Sequence, residues 1–506
     1  MLTGIKQRRQ RRGAPHNFTD GNLRGDSRRE REALDCVMAA GLDPAPPDPL
    51  RSAVDQWRAA ALAAQTLWVR SLGGTAIAAA AHARCDALIR FARVRSPFYR
   101  DAWSHLREGS LGLAELPVVS KRTLMEAFDD WCTDRAVTRS AVLGFLGQRA
   151  HIGERFLGRH VVWTSSGSTG EPGIYVQDDA ALAAYDALVS AQLAGPGFAG
   201  CNWQDVVAQN GRAALIAADT DHFASIASWR RLASGKPWLD MKSFAVTQPV
   251  PDIVRALNAY QPAFVSSYPT VLSLLAEEQA AGRLAIHPAA LWSGGEGLSP
   301  SARREIERVF GCPLQNEYGA SECLAIAHGC REGWLHVDAD WVILEPVDSH
   351  HRPTPPGTLS HTVLLTNLAN AVQPIIRYDL GDSVRAKAGP CACGSPLPAI
   401  QVEGRSDDVV ALRAVDGTRA HLVPLALTTV VEDAARVHRF QIVQTAPDCL
   451  ALRLTDADRA RAGATAVAAL RAYLDRHALT GVAIVLEAGE PRPEHRGGKL
   501  RQVVAM

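Results

Sequence analysis

From residue 161 onward the chain alternates short β-branched runs with Ala-rich stretches, and that alternation restricts it to a layered α/β architecture. Val161-Val162-Trp163, Ala263–Ser266, Ala290–Ser293 and Thr362–Thr366 read as strands, and Asp179–Leu193, Val271–Ala281 and Ser301–Phe310 as helices. The first of these strands runs straight into Thr164-Ser165-Ser166-Gly167-Ser168-Thr169-Gly170-Glu171-Pro172. A loop of this kind presents backbone N–H groups and hydroxyls with almost no side chain in the way, which is what a polyphosphate requires. It is not a Walker A loop, because no Gly-Lys-Ser/Thr closes it. No Lys lies within it, so the charge on a bound polyphosphate has to be met by a metal or by a distant Lys or Arg. Taken alone, such a Ser/Gly run is more often a surface loop.

At 506 residues the chain exceeds one ordinary core and implies two or more domains. Its 47% hydrophobic and 21% charged residues are those of a globular protein, and a formal charge of +1 gives no global electrostatic case for a nucleic-acid or membrane partner. No apolar run approaches the ~18–20 residues needed to span a bilayer, and no apolar segment follows the basic N-terminus to make a secretory signal. Ten cysteines scattered without a disulfide framework fit a reducing, cytoplasmic setting. Residues 1–50 stand apart. Lys6, Arg8, Arg9, Arg11 and Arg12 form a basic cluster, and Pro44-Ala45-Pro46-Pro47-Asp48-Pro49 cannot continue a helix. This leader is expected to be disordered and without a specific partner. A helical stretch, roughly Val54 to Arg93, follows it. Beyond Gly404 the apolar runs Phe440–Val443, Leu450–Leu454 and Val482–Leu486 interleave with helical Pro424–Ala434 and Ala464–His477, enough for a small α+β domain.

Five further segments follow the Ser/Gly loop in order. They are Ser293-Gly294-Gly295-Glu296, Glu317-Tyr318-Gly319-Ala320-Ser321-Glu322, Arg377-Tyr378-Asp379-Leu380-Gly381-Asp382, Glu403-Gly404-Arg405-Ser406-Asp407-Asp408 and Gly497-Gly498-Lys499-Leu500-Arg501. This ordered set resembles the adenylate-forming superfamily of acyl-CoA synthetases, peptide-synthetase adenylation domains and luciferases. Ser96-Pro97-Phe98-Tyr99-Arg100 and Leu116-Pro117-Val118-Val119-Ser120-Lys121 extend the likeness to its phenylacetate-CoA ligase branch, over roughly residues 85 to 506. The resemblance implies a large multi-layer α/β N-terminal domain over 51–403 that binds ATP and acid. It also implies a small mobile α+β domain over 404–506, hinged at Asp407, that carries a catalytic lysine.

Activating a carboxylate requires its oxygen to attack the α-phosphate of ATP and expel pyrophosphate, so the site has to neutralise phosphate charge and align the acid. The resemblance assigns each motif a part. Ser165, Ser166, Gly167, Ser168, Thr169 and Gly170 would hold the β- and γ-phosphates, and Glu322, with Thr169 as a second contact, would ligate Mg²⁺. Asp382 would accept both ribose hydroxyls, having two acceptor oxygens for two vicinal donors. Tyr318 would offer a flat face to adenine. Gly294, Gly295 and Glu296 would let backbone approach the base edge, and Gly319 and Ser321 belong to the same nucleotide site. Arg405 would reach the nucleotide from the domain junction. Lys499 would be the cation missing from the loop, contacting acyl carboxylate and α-phosphate. Tyr268 and Ala320 sit where related enzymes line the acyl pocket. Taken singly, Asp382 reads as a turn residue, Tyr318 as a core aromatic, Glu322 as a first-turn acid and Lys499 as a solvated tail. The ordered set favours the functional reading.

The branch implies an aromatic acid and CoA as the acceptor. One departure bears on CoA: after the paired aspartates the chain reads Val409-Val410-Ala411-Leu412-Arg413-Ala414, with no glycine until Gly417, where relatives usually have Arg-Gly. A Cβ at 414 is expected to crowd a pantetheine channel or forbid the usual turn. An acceptor other than CoA, such as an amine, is therefore the alternative. A nucleotide-binding relative without turnover is the third reading, set against intact Glu322, Asp382, Arg405 and Lys499. Finally, Cys391-Ala392-Cys393-Gly394, with Cys330 and His336 upstream, offers three sulfurs and an imidazole, a closed tetrahedral set suited to structural Zn²⁺ and resembling a metal-binding turn in branch relatives. Reduced, metal-free cysteines are the alternative. Cys323, beside Glu322, reads as packing.

Overall fold

In the computed structural model the described residues are 49–106, 112–165, 172–198, 201–219, 221–235, 239–403, 410–422, 424–437, 439–492 and 501–505. The leader up to residue 48, the loop residues Ser166 to Glu171, the junction residues Gly404 to Val409 with Arg405 and Asp407, and Lys499 lie outside them. Leu50–Met506 is one structural unit.

The chain enters as two long helices, α1 (Pro49–Ser71) and α2 (Gly74–Arg95). A single helical stretch was expected here. It breaks because Gly73 takes a left-handed φ of 91°, which a residue with a Cβ resists. The pair is fastened to the rest by charge. Arg70 bridges buried Asp338 at 2.9 Å and buried Asp340 at 2.7 Å, and the Arg84 guanidinium lies 3.8 Å from the Trp341 ring centroid.

β1 (Arg155–Phe156), β2 (His160–Thr164) and β3 (Ile174–Gln177) form a small antiparallel sheet, with the Ser/Gly loop joining β2 to β3. The long helix α3 (Asp179–Leu193) opens where the Asp178 carboxylate accepts the Ala181 N–H, a side-chain cap on the first turn. Next come β4 (Ala213–Ala217), β5 (Met241–Ala245), α4 (Val250–Tyr260), β6 (Phe264–Ser267), α5 (Pro269–Ala280), β7 (Ala290–Gly294), α6 (Pro300–Phe310), β8 (Leu314–Ala320), β9 (Cys323–Gly329) and β10 (Leu335–Val337). β11 (Val342–Val347), β12 (Thr362–Asn367) and β13 (Ile375–Asp379) make a separate antiparallel sheet. β14 (Ser383–Ala386) and β15 (Ala399–Glu403) return to complete a nine-stranded sheet of order β14-β15-β10-β9-β8-β7-β6-β4-β5.

In that sheet β5, β4, β6, β7 and β8 are mutually parallel, and the rest pair antiparallel. The chain passes from β4 outward to β5 and then back to β6 on the other side of β4. The connections after β4 and β6 therefore diverge, which opens a crevice at the carboxyl ends of these two strands. The smaller C-terminal part has β16 (Val410–Arg413), β17 (Arg419–Leu422), α7 (Pro424–Ala435), β18 (Phe440–Ala446), β19 (Cys449–Leu454), α8 (Asp456–Arg476), β20 (Ala483–Glu487) and β21 (Val503–Val504). Its four-stranded sheet runs β20-β19-β18-β21. The architecture is thus α/β with a large sheet-bearing domain and a smaller α+β one. One apolar core runs from Val254, Leu257 and Leu275 of α4 and α5 into Leu470 and Tyr473 of α8, so the smaller part packs directly on the larger.

α8 opens at Asp456, earlier than expected, because the Thr455 hydroxyl caps Asp458 N–H at 3.2 Å and the intervening alanines carry the helix onward. At β16–β17 the turn is made by Gly417, at φ 85°, while Ala414 sits three positions earlier at ordinary φ, its N–H donating to Thr418 O at 2.8 Å. The absent glycine at 414 is therefore supplied three positions later, and the Ala414 Cβ does not forbid the turn.

Candidate active site and a cysteine–histidine cluster

The carboxyl ends of the parallel strands gather most of the described motif residues. Tyr268 follows β6, Gly294 ends β7 and Gly295 follows it, and Tyr318 to Glu322 end β8 and turn into β9. Tyr268 stands in the β4/β6 crevice, where its hydroxyl accepts the Ala218 N–H at 3.4 Å. A Cβ on Gly295, whose φ is 80°, would lie 3.2 Å from the Tyr268 ring, so glycine lets the tyrosine lie flat on the backbone. Burial pushes the Tyr268 phenol up to about 12. The Glu296 carboxylate accepts the Thr270 N–H at 3.2 Å and the Thr270 hydroxyl at 2.8 Å, capping the first turn of α5.

The neck of the Ser/Gly loop is closed by reciprocal bonds. Ser165 N–H donates to Gly173 O at 3.0 Å and Gly173 N–H to the Ser165 hydroxyl at 2.8 Å. The neck is also tied to the β8–β9 turn. Trp163 Nε1–H donates to Ser321 O at 2.7 Å, and the Ser321 hydroxyl donates to Thr164 O at 3.3 Å. The turn is tight enough to demand glycine, since a Cβ on Gly319 would sit 2.0 Å from Leu324 O.

Glu322, 8% exposed, closes this turn. The Tyr175 hydroxyl from β3 donates to Glu322 Oε1 at 2.5 Å, and the Tyr378 hydroxyl from β13 donates to the same oxygen at 2.7 Å. Burial, and then the neighbouring carboxylate, hold both phenols above their ordinary range, so they remain donors. A buried carboxylate with neutral hydroxyl partners is a hard anionic oxygen donor, the type Mg²⁺ takes. Across the turn, the Tyr318 hydroxyl donates to Asp382 Oδ2 at 2.9 Å. Half-buried Glu317 accepts the Trp292 indole N–H at 2.9 Å, and desolvation raises its carboxyl to about 7.

The structure thus brings Ser165, Tyr268, Gly294, Gly295, Glu296, Tyr318, Gly319, Ala320, Ser321, Glu322 and Asp382 to one face of the large domain. Ser166, Gly167, Ser168, Thr169, Gly170, Arg405, Asp407 and Lys499 lie outside the described residues. Sequence reasoning missed Trp163, Tyr175 and Tyr378 as site-building residues. Tyr378 stands inside the Arg377–Asp382 motif and could have been found there. Tyr175 gives no local signal, because its partner is 147 residues away. Conversely, Arg377 and Tyr99, both within motifs, are structural. Arg377 donates to Ala114 O, Leu116 O and Glu345, and the Tyr99 hydroxyl donates to Pro374 O.

A second cluster lies where β9, β10 and the turn before β15 meet. One ligand atom each from Cys330, His336, Cys391 and Cys393 falls within 4.8 Å of the others. Cys330 Sγ and Cys391 Sγ are 3.9 Å apart, close to the ~3.8 Å edge of a tetrahedral zinc–thiolate site. His336 Nδ1 lies 3.0 Å from Leu397 O, which fixes its proton there and turns Nε2 toward Cys393 Sγ at 3.1 Å. The donor set and its geometry fit Zn²⁺.

Residues 161–358 match the family model of the AMP-binding enzymes. The chain is 28% identical to protein CapK of Staphylococcus aureus over 133 residues, a match covering 26% of this chain and 28% of that relative. Among solved structures it is similar to 2-hydroxyisobutyryl-CoA ligase at 20% identity and TM-score 0.47, over 84% of this chain and 90% of that one. It is also similar to the Vibrio cholerae adenylation domain AlmE, at 16% identity and TM-score 0.37, over 65% of this chain and 64% of that one. The stretch that matches the AMP-binding enzymes runs from the loop strand β2 through Tyr318 and Glu322.

Proposed function

We propose that the protein is an AMP-forming acid ligase that activates a carboxylic acid as its acyl-adenylate and passes the acyl group to CoA. The observation that carries this reading is the junction of the loop neck with Glu322. It sets the buried Glu322 carboxylate beside the neck of the Ser/Gly loop, with Tyr318 of β8 bonded to Asp382, which supports a metal ligand at the base of a phosphate site.

The acid's oxygen attacks the α-phosphorus, and the bond to the bridging oxygen breaks, releasing pyrophosphate. The CoA thiol then attacks the acyl carbon, losing its proton, and AMP leaves. Ser165 to Gly170 hold the β- and γ-phosphates, and Glu322 with Thr169 would hold Mg²⁺, which when bound offsets the charge spread over the phosphates. Asp382 accepts the ribose hydroxyls and Tyr318 takes the adenine face, with its hydroxyl fixed by the same carboxylate. Arg405 and Lys499 complete the charge balance at the α-phosphate, with Asp407 as hinge. Tyr268 and Ala320 would line the acyl pocket, and the likeness of Ser96–Arg100 and Leu116–Lys121 to the phenylacetate-CoA ligase branch supports an aromatic acid. Cys330, His336, Cys391 and Cys393 would hold a structural Zn²⁺ that pins the turn before β15. The protein is expected to act in the cytoplasm.

An acceptor other than CoA remains the second reading, because Ala414 carries a Cβ beside the junction. The hairpin geometry at Gly417 keeps CoA first in line. Product analysis over a panel of aryl and alkyl carboxylates with Mg-ATP, with and without CoA, decides between them. An acyl-CoA product supports the first reading. Acid-dependent AMP formation indifferent to CoA moves the acyl group to another nucleophile. AMP formation with no acid dependence overturns both.

A further inference from the structure

Glu322 has an asymmetric set of partners that the assignment of a metal ligand does not explain. Among the described residues, both hydrogen bonds to its carboxylate go to Oε1, from Tyr175 at 2.5 Å and Tyr378 at 2.7 Å. An ionised carboxylate oxygen has two lone-pair directions, so these two donors saturate Oε1. The donors come from different elements. Tyr175 lies on β3, two residues after the loop neck at Gly173, and Tyr378 lies on β13, four residues before Asp382.

Neither ring has room to turn away. A Cβ on Gly173 would lie 2.5 Å from the Tyr175 hydroxyl, the two phenol oxygens are 3.4 Å apart, and both rings are fully buried. From the opposite side, Asn367 Nδ2–H donates to Glu322 O at 3.0 Å and fixes the backbone that carries the carboxylate.

We propose that Tyr175 and Tyr378 are positioning residues that hold the Glu322 carboxylate through Oε1 and leave Oε2 as the oxygen presented to the divalent cation of bound ATP. The proposal rests on the ligase reading and names what that reading leaves unassigned. Two charge-assisted bonds to one oxygen are stronger than neutral ones, and they come from buried rings that cannot move away. They also fix the plane of the carboxylate, so that the cation meets one oxygen in a set direction. Because one donor stands at the loop neck and the other in the strand leading to Asp382, the same two bonds tie the loop base and the nucleotide-binding segment to one carboxylate.

The test uses the full chain and Mn²⁺ in the presence of ATP, with Mn²⁺ binding and its spectrum read by electron paramagnetic resonance at one fixed pH. Tyr175→Phe and Tyr378→Phe each delete one hydroxyl and keep the ring. The expected result is Mn²⁺ affinity weakened roughly tenfold by each variant, in line with loss of a hydrogen bond to a charged group. The Mn²⁺ spectrum with ATP bound is expected to change in each, because the direction in which Oε2 meets the cation is no longer set, while ATP affinity without metal stays unchanged. The two variants are read separately, with thermal unfolding alongside, so that loss of fold in one leaves the other as the test.

Glu322→Gln separates this proposal from the reading beneath it. Unchanged Mn²⁺ affinity and spectrum in the tyrosine variants, with Mn²⁺ binding lost in Glu322→Gln, overturns the positioning role and leaves Glu322 as the ligand. Wild-type protein that binds no Mn²⁺ with ATP overturns both.

Discussion

The side-chain amide of Gln441 donates to Arg501 O at 3.0 Å, and the same nitrogen donates to Arg492 O at 3.3 Å. These two carbonyls flank residues 493–500, the segment that contains Lys499, so one buried amide on β18 gathers both ends of it. Arg453 holds Gln441 Oε1 at 3.1 Å from the neighbouring strand. If Lys499 supplies the cation at the α-phosphate, Gln441→Leu lowers the rate of pyrophosphate release by roughly tenfold, the cost of losing oriented polar contacts, with the KM for ATP unchanged. Lys499→Ala abolishes it, and the double variant is no worse than Lys499→Ala alone, because both act through one group. Additive losses would place Gln441 elsewhere in the mechanism.

Gly319 carries a steric demand rather than a chemical one. A Cβ there meets Leu324 O at 2.0 Å, and backbone on a two-strand turn has no flexible end to yield. Gly319→Ala is expected to cost about 2–3 kcal/mol of stability and to lower acid-dependent turnover by displacing Ser321 and Glu322. Thermal unfolding unchanged from wild type would show that the turn opens freely.

The cysteine–histidine cluster predicts close to one zinc per chain in protein purified without chelator, read by elemental analysis. Cys391→Ser or His336→Ala brings the content well below one and lowers the unfolding temperature by several degrees. The fourth ligand cannot be replaced without opening a structural site. Full-length protein with negligible zinc and an unfolding temperature indifferent to chelator would leave the four residues as reduced thiols and a buried imidazole.

Glu432 gives a pH signature. Burial on α7, with Asp433 and Asp221 nearby, raises its carboxyl from an ordinary 4.5 to about 8. The folded state therefore holds its proton to higher pH than the unfolded state does. Its contribution to stability is full below about 4.5, falls by about 1.4 kcal/mol per pH unit as pH rises toward 8, and is flat above that. Glu432→Gln, neutral at every pH, is expected to match wild type near pH 4.5 and to be the more stable protein at pH 8–9. Parallel stability profiles for the two proteins would contradict this.

What the sequence made legible was local or ordered along the chain. Helix α3 starts and stops where the run Asp179–Leu193 said it would, because Asp178 is a strong cap and the alanines propagate a helix. The four residues of the sulfur–imidazole cluster were identifiable from donor chemistry alone, although sixty-one residues separate Cys330 from Cys391. The break at Gly73 was hidden inside an apolar run whose composition is helical on both sides. Tyr175 was invisible for a different reason. As a strand aromatic it looks like core, and only the long-range packing of β3 against the β8–β9 turn turns its hydroxyl into a partner of Glu322. Arg377 shows the reverse case. It stands in a motif, yet its guanidinium is used up on the carbonyls of 114 and 116 and on Glu345.

The most direct test of the central claim is exchange of labelled pyrophosphate into ATP, measured across a panel of carboxylic acids for wild type and Glu322→Ala. Exchange requires a reversible acyl-adenylate, so it reads the first half-reaction without assuming any acceptor. Acid-dependent exchange in wild type, lost in Glu322→Ala while the protein stays folded, is the predicted result. Exchange that no acid raises above its acid-free level, or that survives in Glu322→Ala, would contradict the account.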